Sequence, residues 1–346
     1  MLTFTHEEFT ALRRYPAQFK LWLNHNIAEP LQKHIAGPRP RQLDELYKAC
    51  AEFSDVASQT RGTGDPVAPT FTVSRSHARL LKRMILTVRR ETAARQEAKM
   101  VKTSDPEMLE YLKGPVAELD LLMEQPWFHE TVPLRLPRLT EFLALEFAEE
   151  VYLNTPQKVQ RKFEDKMHIL YSQSIFLDDL RYYRCKCELR AKPVLVAFLD
   201  IDDFKQLNDR YGETIVDRDF LSKFMEELEA HIFSHGYAYR FGGDEYVLLL
   251  PNMSIEWGAK FLGAFQARLF KVEYLGIEEK PTVSIGVCYA DQDCFLTDRE
   301  ILERANRAEK FAKRTKKGGI AGYKGALYRE EDLCAIRQML PEPATQ

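Results

Sequence analysis

The chain has 346 residues and is 45% hydrophobic, enough to bury a sizeable core and long enough for about two domains. Lys+Arg 49 against Asp+Glu 52 leaves a net charge of -3, which excludes the strongly basic balance of a wholesale nucleic-acid or anionic-membrane binder. The six cysteines, Cys50, Cys185, Cys187, Cys288, Cys294 and Cys334, are scattered without metal-binding spacing and read as reduced thiols.

In chain order, the opening MLTFTHEEFTALRRY carries acids where a signal peptide needs an apolar core. No stretch approaches the roughly 18 consecutive apolar residues of a membrane span, so a cytoplasmic protein without membrane contact is expected. From Thr5 to about Asn154, apolar residues recur at three- and four-residue spacing in HEEFTALRRY, FKLWLNHNIAEPLQKHI, RQLDELYKACAEF and PRLTEFLALEFAEEVYL. That spacing predicts an all-α N-terminal domain over residues 1–153, with sensory, regulatory or dimerising roles open to it. GPRPRQ at 37–42 reads as a tight connection and RGTGDPVAPT at 61–70 as a mobile loop. The basic helix over 74–99 reads as a solvated face, so nucleic acid is not expected as a partner, and His77 within it as a packing or surface residue rather than a haem ligand.

NTPQKVQRKFEDKMHILYSQ predicts a linker helix over 154–180, with Asn154 or Thr155 as N-cap and Pro156 in its first turn. Beyond it the character changes. PVLVAFLDID, EYVLLLP and PTVSIGVCYA read as β-strands, separated by the helical patterns RDFLSKFMEELEAHIF and SIEWGAKFLGAFQARLF, so the C-terminal half is α/β. The last helix, DREILERANRAEKFAKRTKK, stops at Gly318 and Gly319, and residues 329–346 form a tail ending in PEPATQ.

Two segments carry chemistry. Side chains alternate along a strand, so VAFLDIDDFK presents Asp200 and Asp202 on one face at a strand end, a setting for Mg²⁺, although a solvated acidic turn would look the same. In RFGGDEY, Gly242 and Gly243 read as a two-residue hairpin turn with positive φ. Their lack of side chains would let a phosphate approach, with Asp244 and Glu245 following as oxygen ligands; a plain surface hairpin with an acidic tip is the alternative.

Taken together these segments resemble the GGDEF domains, the diguanylate cyclases, over about 160 residues, here assigned to 165–328. DIDDFKQLNDRYG at 200–212 is similar to the family's DxDxFKxxNDxxG, GGDEY to GG(D/E)EF, and TVSIGV at 282–287 is unchanged. ANRAEKFAKRTKKGG at 305–319 resembles ADxALYxAKxxGRN, and DKMHILYSQSIF at 165–176 is an eroded DxLTGLxNRRxF. The resemblance implies a palm-like α/β (α+β) domain with a central, mainly antiparallel sheet flanked by helices, following the all-α N-terminal domain. It also implies Mg²⁺ (or Mn²⁺) on Asp200, the Ile201 carbonyl, Asp244 and Glu245, with Asp200, Asp244 and Glu245 catalytic. Asn208 and Asp217 would read guanine, while Phe204, Lys205, Gly242, Gly243, Lys313 and Lys317 would hold the triphosphate. The implied reaction condenses two GTP into cyclic di-GMP and pyrophosphate across a homodimer, regulated by the N-terminal domain.

The sequence departs from the family at Glu213 and Val216, where GHxxGD is usual, at Ser172 and Gln173 in the opening motif, at Lys317 and Gly318, and at Tyr246. Phe233 and Gly236 stand where the family's product-inhibition site carries Arg and Asp, so no feedback through that site is expected. Two other readings remain open: a catalytically weak or inactive module that binds GTP or a partner, and a cyclase of altered product.

Overall fold

The computed structural model describes residues 2–4, 11–12, 14–29, 41–59, 71–103, 105–134, 163–189, 191–325 and 327–336. The chain divides into two units, Met1–Val151 with Phe295–Thr297, and Tyr152–Cys294 with Asp298–Gln346.

The first unit is helical: α1 (Tyr15–Leu23, continued by a π-helical turn Asn24–Ala28), α2 (Arg41–Gln59), α3 (Arg75–Met100), α4 (Pro106–Met123) and α5 (Pro126–Glu130). It also carries a short antiparallel pair, β1 (Leu2–Phe4) with β2 (Phe71–Val73), which is too brief to show a period of two in sequence. Ser74 caps α3 by accepting the His77 N–H at 3.2 Å, and the His77 ring packs edge-on to Phe53. The solvated basic face expected for this helix is corrected. Arg83 is 2% exposed, Lys82 and Arg89 are also buried, Lys82 donates to the Phe128 carbonyl, and Arg89 pairs with Asp120 at 2.9 Å. Long cationic side chains bury their stems when carbonyls and carboxylates meet their heads. The predicted helix PRLTEFLALEFAEEVYL, the 61–70 loop and residues 154–162 of the predicted linker lie outside the described residues.

In the second unit the predicted linker helix does not run on to residue 180. Phe163 bridges to Tyr171, residues 165–170 form turns, and only after β3 (Tyr171–Ser172) and a 3₁₀ turn at Gln173–Ile175 does α6 (Phe176–Leu189) begin. Glu164 is the reason: its carboxylate accepts the N–H groups of Lys166 at 2.8 Å, Met167 at 2.8 Å and Ile169 at 3.4 Å, and His168 takes a positive φ of 57°. A side chain that satisfies three backbone donors offers the chain a turn in place of a helix.

The remaining elements are β4 (Val194–Ile201), α7 (Phe204–Tyr211), α8 (Ser222–Ile232), β5 (Tyr237–Arg240), β6 (Glu245–Pro251), α9 (Ile255–Leu269), β7 (Val283–Ala290), α10 (Asp298–Thr315), β8 (Ile320–Tyr323) and β9 (Leu333–Ala335). A single turn at Glu213–Ile215 and a π-helical stretch at Val216–Leu221 lead into α8. The sheet order is β3-β5-β6-β4-β7-β8-β9; β3–β5 and β7–β8 are parallel and the other pairs antiparallel, the mainly antiparallel sheet that the motifs imply.

β4 is central and buried on both faces, which is why its sequence is an almost unbroken apolar run. Leu195, Ala197, Leu199 and Ile201 join Phe224 and Leu228 of α8 and Leu262 and Phe265 of α9 in one core. The other face receives α10. A Cβ added to Gly286, which pairs with Phe198, would lie 1.9 Å from the Glu309 nitrogen and 2.1 Å from the Ala305 oxygen. Glycine at that one position lets α10 dock on the sheet and sets where its lysines arrive.

Candidate active site

The antiparallel register assembles the site. Asp200, near the end of β4, stands opposite Glu245 of β6 and Ser284 of β7, and the Ile201 N–H donates to the Asp244 carbonyl at 3.2 Å. The structure thus brings together Asp200, Ile201, Asp244 and Glu245. Asp200 lies on the α10 side, where Lys313 donates to its Oδ1. Asp202 does not share that role. β4 ends at Ile201, and the Asp202 carboxylate, 4% exposed, accepts from Thr282 Oγ1 at 2.6 Å, Ser284 Oγ at 2.7 Å and the Gly318 N–H at 2.8 Å. Asp202 stays on the side of Asp200 and Ser284, but these three donors take up its carboxylate, so it ties the segment after α10 to the sheet; Gly318 supplies its N–H at a φ of 70°.

Negative charge is crowded here. Burial, with the neighbouring Asp244 and Asp202 charges, raises the Asp200 carboxyl despite the opposing Lys313 ammonium. Burial and the charges of Asp200 and Asp244 raise Glu245 against Lys310 and Lys313. Burial lowers Lys313, but its bond to Asp200 and the charges of Asp200, Glu309 and Asp202 outweigh that and hold it above the ordinary lysine range. Among the described residues, no group of three His, Cys, Asp or Glu side chains stands ready-made around a metal position. A Mg²⁺-like ion needs only one or two carboxylates with a carbonyl and phosphate oxygens, and carboxyls destabilised by their own neighbours fit such a cation.

The hairpin is wider than a two-residue turn. Arg240 pairs with Tyr246, the N–H groups of Phe241 and Gly242 donate to the Glu245 carbonyl at 2.9 and 3.2 Å, and neither Gly242 nor Gly243 has positive φ. The glycines leave the loop open. A Cβ on Gly242 would lie 3.0 Å from Glu245 Oε2, and one on Gly243 would meet nothing nearer than the Phe204 ring at 3.9 Å. Arg240 braces the loop by donating to the carbonyls of Gly242 at 3.0 Å and Gly243 at 3.2 Å, while its Nη1 lies 3.5 Å from Glu164. Burial would raise the Glu164 carboxyl, but its three backbone donors and Arg240 hold it below the usual range. Tyr246 is fully buried against Phe224 with ring centroids 5.1 Å apart, and its hydroxyl donates to the Gly243 carbonyl at 3.4 Å.

Next to the hairpin, Asp203 adopts a left-handed φ of 57° and starts α7. Among the described residues the Phe204 and Lys205 N–H groups open this helix without a backbone acceptor, the first bonds to the Asp203 carbonyl coming from Gln206 and Leu207. Lys205 is exposed, and Lys317 donates to Asp203 Oδ1 at 2.6 Å. Lys313 and Lys317 therefore converge on the two acidic ends of the DIDD segment.

Asn208 and Asp217 lie on a helical shoulder. Asn208, half-buried, is on α7, whose Phe204 ring sits 6.5 Å from Phe220 of the π-helical stretch that begins with Val216 and Asp217. Val216 is 0% exposed, part of the core, and ordinary helix in conformation, so it fills space below the shoulder. Asp217 does not stand free: Lys166 donates to its Oδ2. Ser172 and Gln173, at the eroded opening motif, occupy β3 and the turn after it. Phe233 is exposed, and a Cβ on Gly236 would fall 2.2 Å from the Leu249 carbonyl, so an aspartate at 236 has no room.

Sequence reading missed Glu164, Lys166, Arg240 and Glu309. Glu309 is 2% exposed, its Oε1 has no hydrogen-bond partner among the described residues, and burial with the Asp200 charge pushes it up to about 7 against Lys313 and Lys310. One signal was present: Glu309 falls within the stripe Ile301, Ala305, Ala308 and Ala312 that α10 buries.

Residues 162–319 match the family model described as "Diguanylate cyclase, GGDEF domain". The chain is 28% identical over 212 residues to diguanylate cyclase DgcP of Pseudomonas aeruginosa, covering 59% of this chain and 31% of that protein. It is 22% identical to the response regulator PleD of Caulobacter vibrioides, covering 53% and 41%. The chain spans between a quarter and about two fifths of the length of the curated relatives it matches. Among solved structures it is similar to the FimX GGDEF domain from Pseudomonas aeruginosa, with a TM-score of 0.43 and 21% identity over 47% of this chain and 99% of that one. The GGDEF domain of DgcB from Caulobacter crescentus, solved with c-di-GMP, gives 0.43 and 22% over 48% and 97%.

Proposed function

We propose that the GGDEF domain formed by residues 162–319 is a diguanylate cyclase that condenses two GTP into cyclic di-GMP and two pyrophosphates across a homodimer, under control of the helical N-terminal unit. The observation that carries this reading is the β4–β6 register, which sets Asp200 beside Asp244 and Glu245, below a glycine loop open to approach and within reach of Lys313.

Each domain holds one GTP. The Phe204 and Lys205 N–H groups, with the ammonium groups of Lys205, Lys313 and Lys317, bind the triphosphate, and Gly242 and Gly243 let it lie against bare backbone. Asn208 and Asp217 orient the guanine. Asp200, the Ile201 carbonyl, Asp244 and Glu245 would hold Mg²⁺ or Mn²⁺, which when bound neutralises triphosphate charge and activates the 3′-hydroxyl. Glu245, raised by its neighbours, is placed to take the 3′-hydroxyl proton at its carboxylate as the 3′-oxygen attacks the α-phosphorus of the GTP on the partner domain and pyrophosphate leaves. A second attack in the opposite sense closes the ring, which is why two domains must face each other.

A second reading, a quiet module that binds GTP or a partner, is favoured by the self-neutralised arrangement of Lys313 on Asp200 and Lys317 on Asp203. Pyrophosphate release from GTP as a function of protein concentration separates the two. The cyclase reading expects two pyrophosphates per cyclic di-GMP and an initial rate rising faster than linearly with protein at low concentration. GTP binding without release at any concentration would establish the quiet module. A cytoplasmic location accords with the nucleotide substrate, and among the described residues no helix is long and apolar enough to cross a membrane.

A further inference from the structure

Lys166 falls within DKMHILYSQSIF, the eroded opening motif, at a position to which the resemblance gives no role, yet its ammonium reaches a carboxylate 51 residues along the chain, Oδ2 of Asp217. Its starting point is fixed, because its backbone N–H is held at 2.8 Å by the buried Glu164, which also anchors Met167 and Ile169. The partners are partly exposed, with side-chain exposures of 56% for Lys166 and 27% for Asp217. An ion pair this open contributes little by itself and would not hold Asp217 against an incoming N–H donor. An ammonium has three donors, and the structure uses one of them on Asp217, leaving the others for a ligand.

We infer that Lys166 is a specificity residue of the base pocket, donating to the O6 of guanine while Asp217 accepts from N1–H and N2–H. This rests on the cyclase reading of Asp217. The chemistry of the edge decides it. Guanine presents an acceptor beside two donors, and a lysine beside a carboxylate is its complement. Adenine presents a donor beside an acceptor, so its amino group would face the ammonium and its N1 the carboxylate, leaving both protein groups unsatisfied. The resemblance implies the carboxylate; the ammonium comes from the turn that Glu164 organises.

The test uses the full chain with mant-GTP and mant-ATP in Mg²⁺, titrated by fluorescence, for the wild type, K166M, K166R and D217N. The inference expects K166M to weaken mant-GTP about tenfold, the effect of one hydrogen bond to a charged group, with mant-ATP unchanged and K166R regaining most of the loss. Equal losses for both nucleotides, no loss, or tighter mant-GTP binding by K166M would overturn it, the last marking Lys166 as a plug. D217N losing mant-GTP while K166M keeps it would retain the cyclase reading and remove Lys166 alone. A wild type that binds neither nucleotide, or both equally, would remove both.

Discussion

The strand edge that carries Asp200, Asp244 and Glu245 and the helical shoulder that carries Asn208 and Asp217 are built by opposite means. At the edge, position comes from ladder hydrogen bonds: β4 is locked between β6 and β7 along its whole length, so a one-residue slip would exchange the side chains that face α8 and α9 with those that face α10. On the shoulder, position comes from side chains, with Val216 and Phe220 buried below and Lys166 reaching over from a turn that Glu164 organises. The edge should therefore tolerate little change in chemistry and little change in register. The shoulder should tolerate changes of detail that alter which base is held.

The largest expected effect is at the edge. Asp244→Asn should lower cyclic di-GMP formation by about 10²-fold or more while the melting temperature moves little, since among the described residues the Asp244 side chain makes no hydrogen bond. Turnover within a few-fold of wild type would break the assignment. Gly286→Ala comes next: with no room for a Cβ against α10, it should destabilise the domain by roughly 3 kcal/mol and impair turnover by moving Lys313 away from Asp200. Denaturant unfolding and a product assay on the same preparation would show both.

On the shoulder, Val216→Gly restores the residue usual in the family at that position. Because Val216 is core rather than loop, the change should cost about 2 to 3 kcal/mol and bring no gain in turnover. A faster enzyme would mean that the valine does crowd the base site. The smallest effect is at Glu309. Its carboxyl is raised in the folded state to about 7, so between an unfolded value near 4.5 and 7 the folded chain binds the extra proton and stability falls as pH rises. Glu309→Gln should thus stabilise the protein at pH 8 by roughly 1 to 3 kcal/mol and not at pH 4. A gain that persists at pH 4 would point to packing instead of charge.

The contrast also explains what the sequence made legible. β4, β6 and β7 are buried runs whose apolar text is almost continuous, and the acids and glycines at their ends stand out against it. Spacing could place Asp200 at the strand end, but not reveal that the strand stops one residue before Asp202 and that Thr282, Ser284 and Gly318 claim that carboxylate. FEDKM looks helical because its residues favour helix; one carboxylate, Glu164, overrides the preference by taking three backbone donors. Lys166 meeting Asp217 is a contact at a distance along the chain, with no local periodicity to announce it. In the N-terminal unit the same limit hid the burial of Arg83, whose guanidinium Nε donates to the Leu134 carbonyl.

The central claim is that the strand edge performs phosphoryl transfer on guanine nucleotide. Incubating the full chain with equimolar GTP and ATP in Mg²⁺ and identifying the products by mass spectrometry, beside Asp244→Asn, tests it most directly. The account predicts cyclic di-GMP from the wild type and none from the variant; a mixed or adenine-only product, or cyclic di-GMP formed equally by both, would contradict it.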